Sequence, residues 1–159
     1  MGLEQAIVSA SHQQALDSQV EEQGLGGFFQ ARLGISDIYA GSKAGLAQRY
    51  LESQGVPPEQ ALFVGDTLHD WEVAQEAGCP CVLLAQGHQS RALLETAGVP
   101  VLESLIQVPA FCEACKLNPP PETEGRAAPK AARPVSANGL PHVAAALFYA
   151  CLKCFDNIN

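Results

Sequence analysis

The feature that most constrains the fold is a run of four apolar residues, Ala61-Leu62-Phe63-Val64, that stops at Gly65-Asp66. Side chains on consecutive strand positions point to opposite faces, so a strand of this kind must be covered on both sides. Further short runs invite the same reading: Ala6-Ile7-Val8-Ser9-Ala10, Ser36-Asp37-Ile38-Tyr39-Ala40, Cys81-Val82-Leu83-Leu84 and Val99-Pro100-Val101-Leu102. Helix patterns lie between them. Ser11 reads as an N-cap with Gln14 in capping-box position, opening a helix that runs to about Gln23 and stops at the glycines at 24, 26 and 27. From Lys43 to about Gln54, Leu46, Tyr50 and Leu51 fall at helical spacing, before Gly55 and Pro57-Pro58. Helices over 68–77 and 89–97 close on Gly78 and Gly98, and a short Leu105-Ile106 segment follows. Strands alternating with helices through short loops predict an α/β fold over residues 1–110: a Rossmann-like, three-layer α/β/α arrangement around a mostly parallel sheet.

Residues 111–159 read differently. The stretch from Asn118 to Pro134 is rich in Pro and Ala and nearly lacks large apolar residues, so it predicts a disordered linker. Val143 to Phe155 turns apolar again, with Leu147, Phe148, Tyr149, Leu152 and Phe155. It is too short to span a membrane and is either a docking helix or an exposed apolar patch.

Charge narrows the partners. Up to Phe111 there are 4 basic and 13 acidic residues; from Cys112 onward there are 5 basic and 4 acidic. The acidic part has no Lys/Arg cluster, which argues against a nucleic-acid surface. No signal peptide opens the chain and no stretch is long enough to cross a membrane, so a cytoplasmic protein with free thiols is expected. Six cysteines include two C-x-x-C pairs, Cys112/Cys115 and Cys151/Cys154. Four thiolates are a zinc ligand set, but the 35 residues between the pairs exceed the usual spacing, and incidental thiols are the simpler reading.

In an open parallel sheet, ligands bind beyond the carboxyl ends of the strands. Ser9 ends the first predicted strand, Lys43 opens the helix after the second, and Asp66 ends the third with Asp70 one turn into the next helix. A hydroxyl at Ser9, with backbone N–H groups beside it, donates to phosphate oxygens. Lys43 supplies a compact positive charge. Asp66 and Asp70 would repel each other unless a cation such as Mg²⁺, which favours carboxylate oxygen, lay beside them. Taken singly, each has a plain alternative: Ser9 as a loop cap, Lys43 as a solvated charge, the two aspartates as helix N-terminal caps. His12 and His69 read as surface groups. The ordered combination, each group at a strand end, is what points to a site.

These residues resemble motifs of the haloacid-dehalogenase-like hydrolase superfamily. Ile7-Val8-Ser9 resembles its second motif, Gly41-Ser42-Lys43 its third, and Phe63-Val64-Gly65-Asp66-Thr67-Leu68-His69-Asp70 its acidic fourth. Ala77-Gly78 and Gly87-His88 resemble the phosphoglycolate-phosphatase-like branch. The resemblance covers about residues 3–108. It implies Mg²⁺-dependent hydrolysis of a small phosphorylated metabolite, with Asp66 and Asp70 on the metal, Ser9, Ala10 and Lys43 on the phosphate, and Ser9 and Lys43 assisting the transfer.

The family's first motif, the Asp-x-Asp that carries the nucleophile, lies upstream of the second. Only eight residues precede Ser9 here, and Glu4 is their only acid. The expectation is therefore an N-terminally truncated member whose sheet lacks its usual central strand, with self-association through the incomplete sheet. The cap that this branch inserts between its first two motifs is expected to be missing with the first motif, and the 22 residues between Lys43 and Asp66 leave no room for the alternative cap. A non-catalytic metal- or partner-binding fragment is the competing expectation.

Overall fold

The alternation of short strands and helices builds a single parallel sheet with helices on both faces. The structure is a computed structural model and describes residues 4–35, 42–114 and 146–149. Six strands are present: β1 (Glu4–His12), β2 (Ala31–Ile35), β3 (Ala61–Gly65), β4 (Cys81–Leu84), β5 (Val101–Leu102) and β6 (Ala146–Tyr149). The helices are α1 (Gln13–Glu22), α2 (Lys43–Gln54), α3 (Leu68–Ala77), the single turn α4 (Arg91–Leu94) and α5 (Val108–Ala114). The strand order is β2-β1-β6-β3-β4-β5, and every pairing is parallel.

Burial alternates along the strands as consecutive apolar residues require. Ala6, Val8, Ala61, Phe63, Cys81 and Leu83 share one face with Ala44, Ala47 and Leu51 of α2 and Val73, Ala74 and Ala77 of α3. Ile7, Leu62, Val64, Val82 and Leu84 share the other with Leu16 and Val20 of α1 and Val108 and Cys112 of α5. Helices α2 and α3 and strand β4 have the boundaries expected from sequence.

Several elements differ from expectation. Strand β1 does not stop at Ala10. Its pairing with β2 shifts register between Val8 and His12, so the extra residues form a bulge around Ser9, and the strand resumes opposite Ile35. His12, not Ser11, therefore caps α1, its ring accepting from the Gln14 N–H. The edge strand beside β1 is Ala31–Ile35, broken in pattern by Arg32 and Gly34; the segment expected, 36–40, lies outside the described residues. The helix expected over 89–97 is one α turn followed by a 3₁₀ turn, Glu95–Ala97. Helix α5 went unrecognised because Pro109 and a short length hid it; proline is well tolerated in a first helical turn.

The largest difference is at the middle of the sheet. That position is not left open. Ala146–Tyr149, expected as a helix or a loose apolar patch, forms β6 and pairs with both β1 and β3. The proline-rich linker expected before it lies outside the described residues, as do Cys115, Cys151 and Cys154 of the zinc hypothesis. Cys112 is buried in the second core cluster. Among the described residues no helix is long and apolar enough to cross a membrane.

Phe63 of β3 is the largest fully buried side chain among the described residues and belongs to the core cluster shared with α2 and α3. Phe63→Ala is expected to cost about 3–5 kcal/mol of unfolding free energy, read as a lower urea midpoint. An unchanged midpoint would mean that this face is not the core.

Candidate active site

Strand β3 delivers the chain to the carboxyl edge of the sheet at Gly65, and the next turn carries the chemistry. Thr67 caps α3, its hydroxyl accepting from the Asp70 N–H at 3.2 Å. Asp70 returns the interaction. Its Oδ2 accepts from the Asp66 N–H (3.2 Å), the Thr67 N–H (3.2 Å) and the Thr67 hydroxyl (2.8 Å). This reciprocal capping box fixes the turn and places a carboxylate at the positive end of the helix. Gln89 adds a further cap by accepting the Leu68 N–H at 2.7 Å.

Lys43 enters from the first turn of α2, where the Ser42 hydroxyl accepts the Gly45 N–H. Its ammonium donates to Asp70 Oδ1 at 2.7 Å, and both side chains are almost wholly buried, 8% and 5% exposed. Burial alone would raise the Asp70 pKa from its ordinary 3.8. The Lys43 charge, the Thr67 hydroxyl and the Asp66 N–H outweigh burial and hold it lower.

Asp66 is 1% exposed and is held from another direction. Its Oδ2 accepts from the His88 backbone N–H at 2.7 Å and lies 2.6 Å from His88 Nδ1. His88 follows β4, so two adjacent strand ends meet at this carboxylate. The approach requires glycine twice. A Cβ on Gly87 would overlap the Asp66 side chain, and a Cβ on Gly65 would overlap Asp70. Among the described residues no donor reaches Asp66 Oδ1.

The structure thus joins Lys43, Asp66 and Asp70 through one hydrogen-bonded turn. Ser9 lies at the same edge of the sheet, in the β1 bulge, and its hydroxyl accepts the Ser11 N–H at 3.1 Å. Ala10 beside it is exposed. No hydrogen bond ties either residue to the Lys43 cluster. His12 and His69 are exposed, as expected from sequence. His88 is the residue sequence reasoning passed over as a contributor; Gly87-His88 directly beyond a strand end was its signal.

Asp70 was expected as a second metal ligand, yet both of its oxygens are engaged, one by Lys43 and the other by the turn. A carboxylate oxygen can accept more than once, so a cation is compatible both with Asp66, whose Oδ1 meets no described donor, and with Asp70. Among the described residues no three His, Cys, Asp or Glu side chains gather as a metal-binding group. A Mg²⁺ ion does not need three: it is commonly held by one or two carboxylates, with water and phosphate oxygens completing six positions. The donor set fits that mode and does not fit zinc.

Comparison with known proteins gives the family. The family model for haloacid dehalogenase-like hydrolases matches residues 1–84, more than half of the chain. A probable phosphoglycolate phosphatase of Pseudomonas savastanoi is 31% identical over 115 residues, 70% of this chain and 71% of that protein. The phosphoglycolate phosphatase of Pseudomonas savastanoi pv. phaseolicola is also 31% identical over 115 residues, but these make up only 42% of it. Among solved structures, a predicted phosphatase from Clostridium acetobutylicum superposes with a TM-score of 0.63 at 20% identity, over 69% of this chain and 51% of that one. A haloacid dehalogenase-like hydrolase from Streptococcus pneumoniae gives 0.61 at 23% identity, over 67% and 50%. These structural matches show the fold. The chain belongs to the haloacid dehalogenase-like hydrolase family. Within it, the chain is similar to the phosphoglycolate phosphatases, and it spans about half the length of the solved relatives.

The depressed pKa of Asp70 has a definite sign for stability. Its ion pair stabilises the fold fully above the ordinary carboxylate pKa and loses that contribution as pH falls through the lower, folded value. Lys43→Met would strand a buried carboxylate, at a cost of about 3–5 kcal/mol at neutral pH, and would move acid unfolding to higher pH. Urea unfolding followed across pH checks both. A variant as stable as the parent at pH 7 would show that the pair does not hold α2 to α3.

Proposed function

We propose that the Asp66 turn is a Mg²⁺-assisted phosphate-monoester site, of the kind a phosphatase uses on a small phosphorylated metabolite. The observation that carries this reading is the buried Lys43–Asp70–Asp66 cluster at the carboxyl end of β3. Asp66 is the residue that would hold the ion through its open oxygen. When bound, the ion neutralises phosphoryl charge. Lys43 supplies a second positive charge next to it, fixed by Asp70 at no entropic cost during binding. Ser9 and the Ala10 N–H offer hydrogen bonds from β1 to the remaining phosphate oxygens. His88 orients the Asp66 carboxylate.

Hydrolysis in this reading also needs a nucleophile, and the described residues offer none. Glu4 opens β1 at the opposite edge of the sheet, and Glu103 is exposed and paired to Arg91 at 2.6 Å. Burial pushes the Cys79 thiol up to about 11 and the Cys81 thiol up to about 12, which leaves both protonated and inert. The proposal is therefore phosphate and Mg²⁺ recognition with little turnover by the described residues alone.

Titration calorimetry with inorganic phosphate is the test. Phosphate is expected to bind the full chain only with Mg²⁺ present, and Asp66→Asn is expected to remove the binding. An aryl phosphate should be hydrolysed at background rate with or without the ion. Phosphate binding that ignores Mg²⁺ or survives Asp66→Asn would overturn the site. Robust turnover abolished by Asp66→Asn would overturn the statement on activity.

A further inference from the structure

Strand β6 stands in the middle of the sheet but comes last in the sequence. Every other strand is tied to the fold by a short connection: α1 follows β1 directly, two residues separate β3 from α3, and three separate α3 from β4. From the end of α5 at Ala114 to Ala146 there are 31 residues of sequence. Closing a contact costs more entropy the further apart its partners lie in sequence, and among the described residues β6 pairs at four positions with each neighbour.

The two strands beside it do not pair with each other. β1 reaches β3 within the sheet only through β6, so the sheet is two blocks, β2-β1 and β3-β4-β5, joined by this strand. Helix α2 provides a second tie, because it packs against β1 and β2 on one side and α3 on the other. Loss of β6 therefore opens a seam without separating the blocks. Ser9 lies on one block, and Asp66 and Asp70 on the other.

We infer that β6 is a latch: a C-terminal strand that undocks from the slot between β1 and β3 while the rest of the fold stays assembled. Its docking sets the spacing between Ser9 and the Asp66 turn. That functional consequence rests on the phosphate-site reading; the latch itself does not.

The backbone supplies an internal control. Amides alternate between the two neighbours of a strand. The Phe63 N–H donates to the Pro80 carbonyl, toward β4, so the amides of Leu62 and Val64 face the β6 slot. On β1, Gln5 exchanges hydrogen bonds with Gln30 toward β2, which turns Ala6 to the slot. Residue-resolved hydrogen exchange on the full chain reads these amides separately.

The expected result is that Ala6, Leu62 and Val64 exchange at least tenfold faster than Phe63 and Leu83. In Leu147→Pro, which removes a strand N–H, the first group should lose protection while the second keeps it. One common rate for Leu62, Phe63 and Val64 in the parent chain would overturn the latch, because β6 would then open only with the whole sheet. Collapse of all protection in Leu147→Pro would overturn it in the same way. Failure of phosphate binding would leave this result standing, and the reverse also holds.

Discussion

The site depends on one buried ion pair. Lys43 and Asp70 come from the first turns of two helices, α2 and α3, that pack side by side on one face of the sheet. A buried pair of this kind is not strongly stabilising in net terms, since both charges must leave water. What it supplies is position. Asp70 Oδ1 fixes the Lys43 ammonium, Asp70 Oδ2 fixes the backbone of Asp66 and Thr67, and the resulting turn presents Asp66 to the edge. A single carboxylate thus joins a helix cap, a countercharge and the orientation of the Asp66 turn.

The second constraint is close approach. Asp66 can accept from the His88 backbone only because Gly87 has no side chain, and the Asp70 cap fits only because Gly65 has none. Two strand ends, β3 and β4, are brought within hydrogen-bond distance at one carboxylate. The result is an Asp66 that is nearly buried, oriented from one side and open at Oδ1. That arrangement suits a hard cation completed by water and phosphate.

Much of this was legible in the sequence, and the reasons are local. Helices α2 and α3 have cap residues at one end and glycines at the other, so their bounds follow from chemistry within a few residues. Strands β3 and β4 are continuous apolar runs. The Asp66–Asp70 spacing with Lys43 upstream marked the cluster. Strand β2 was missed because an edge strand that includes Arg32 and Gly34 shows no apolar run. The β1 bulge was invisible because a bulge is a pairing property, settled by the neighbour and not by the strand. The slot beside β6 was hidden for the same reason: a four-residue apolar stretch after a long polar one gives no sign of its partners. The role of His88 was missed because it acts partly through its backbone N–H, which any residue type carries.

The central claim is that Asp66 holds a divalent cation at this turn. Paramagnetic broadening by Mn²⁺ in an amide ¹H–¹⁵N spectrum tests it directly, since Mn²⁺ takes the same oxygen ligands as Mg²⁺. The account predicts that Asp66, Thr67, Gly87 and His88 broaden first and recover when Mg²⁺ is added in excess. Broadening centred instead on the surface acids of α1, Glu21 and Glu22, with the Asp66 turn untouched, would contradict it.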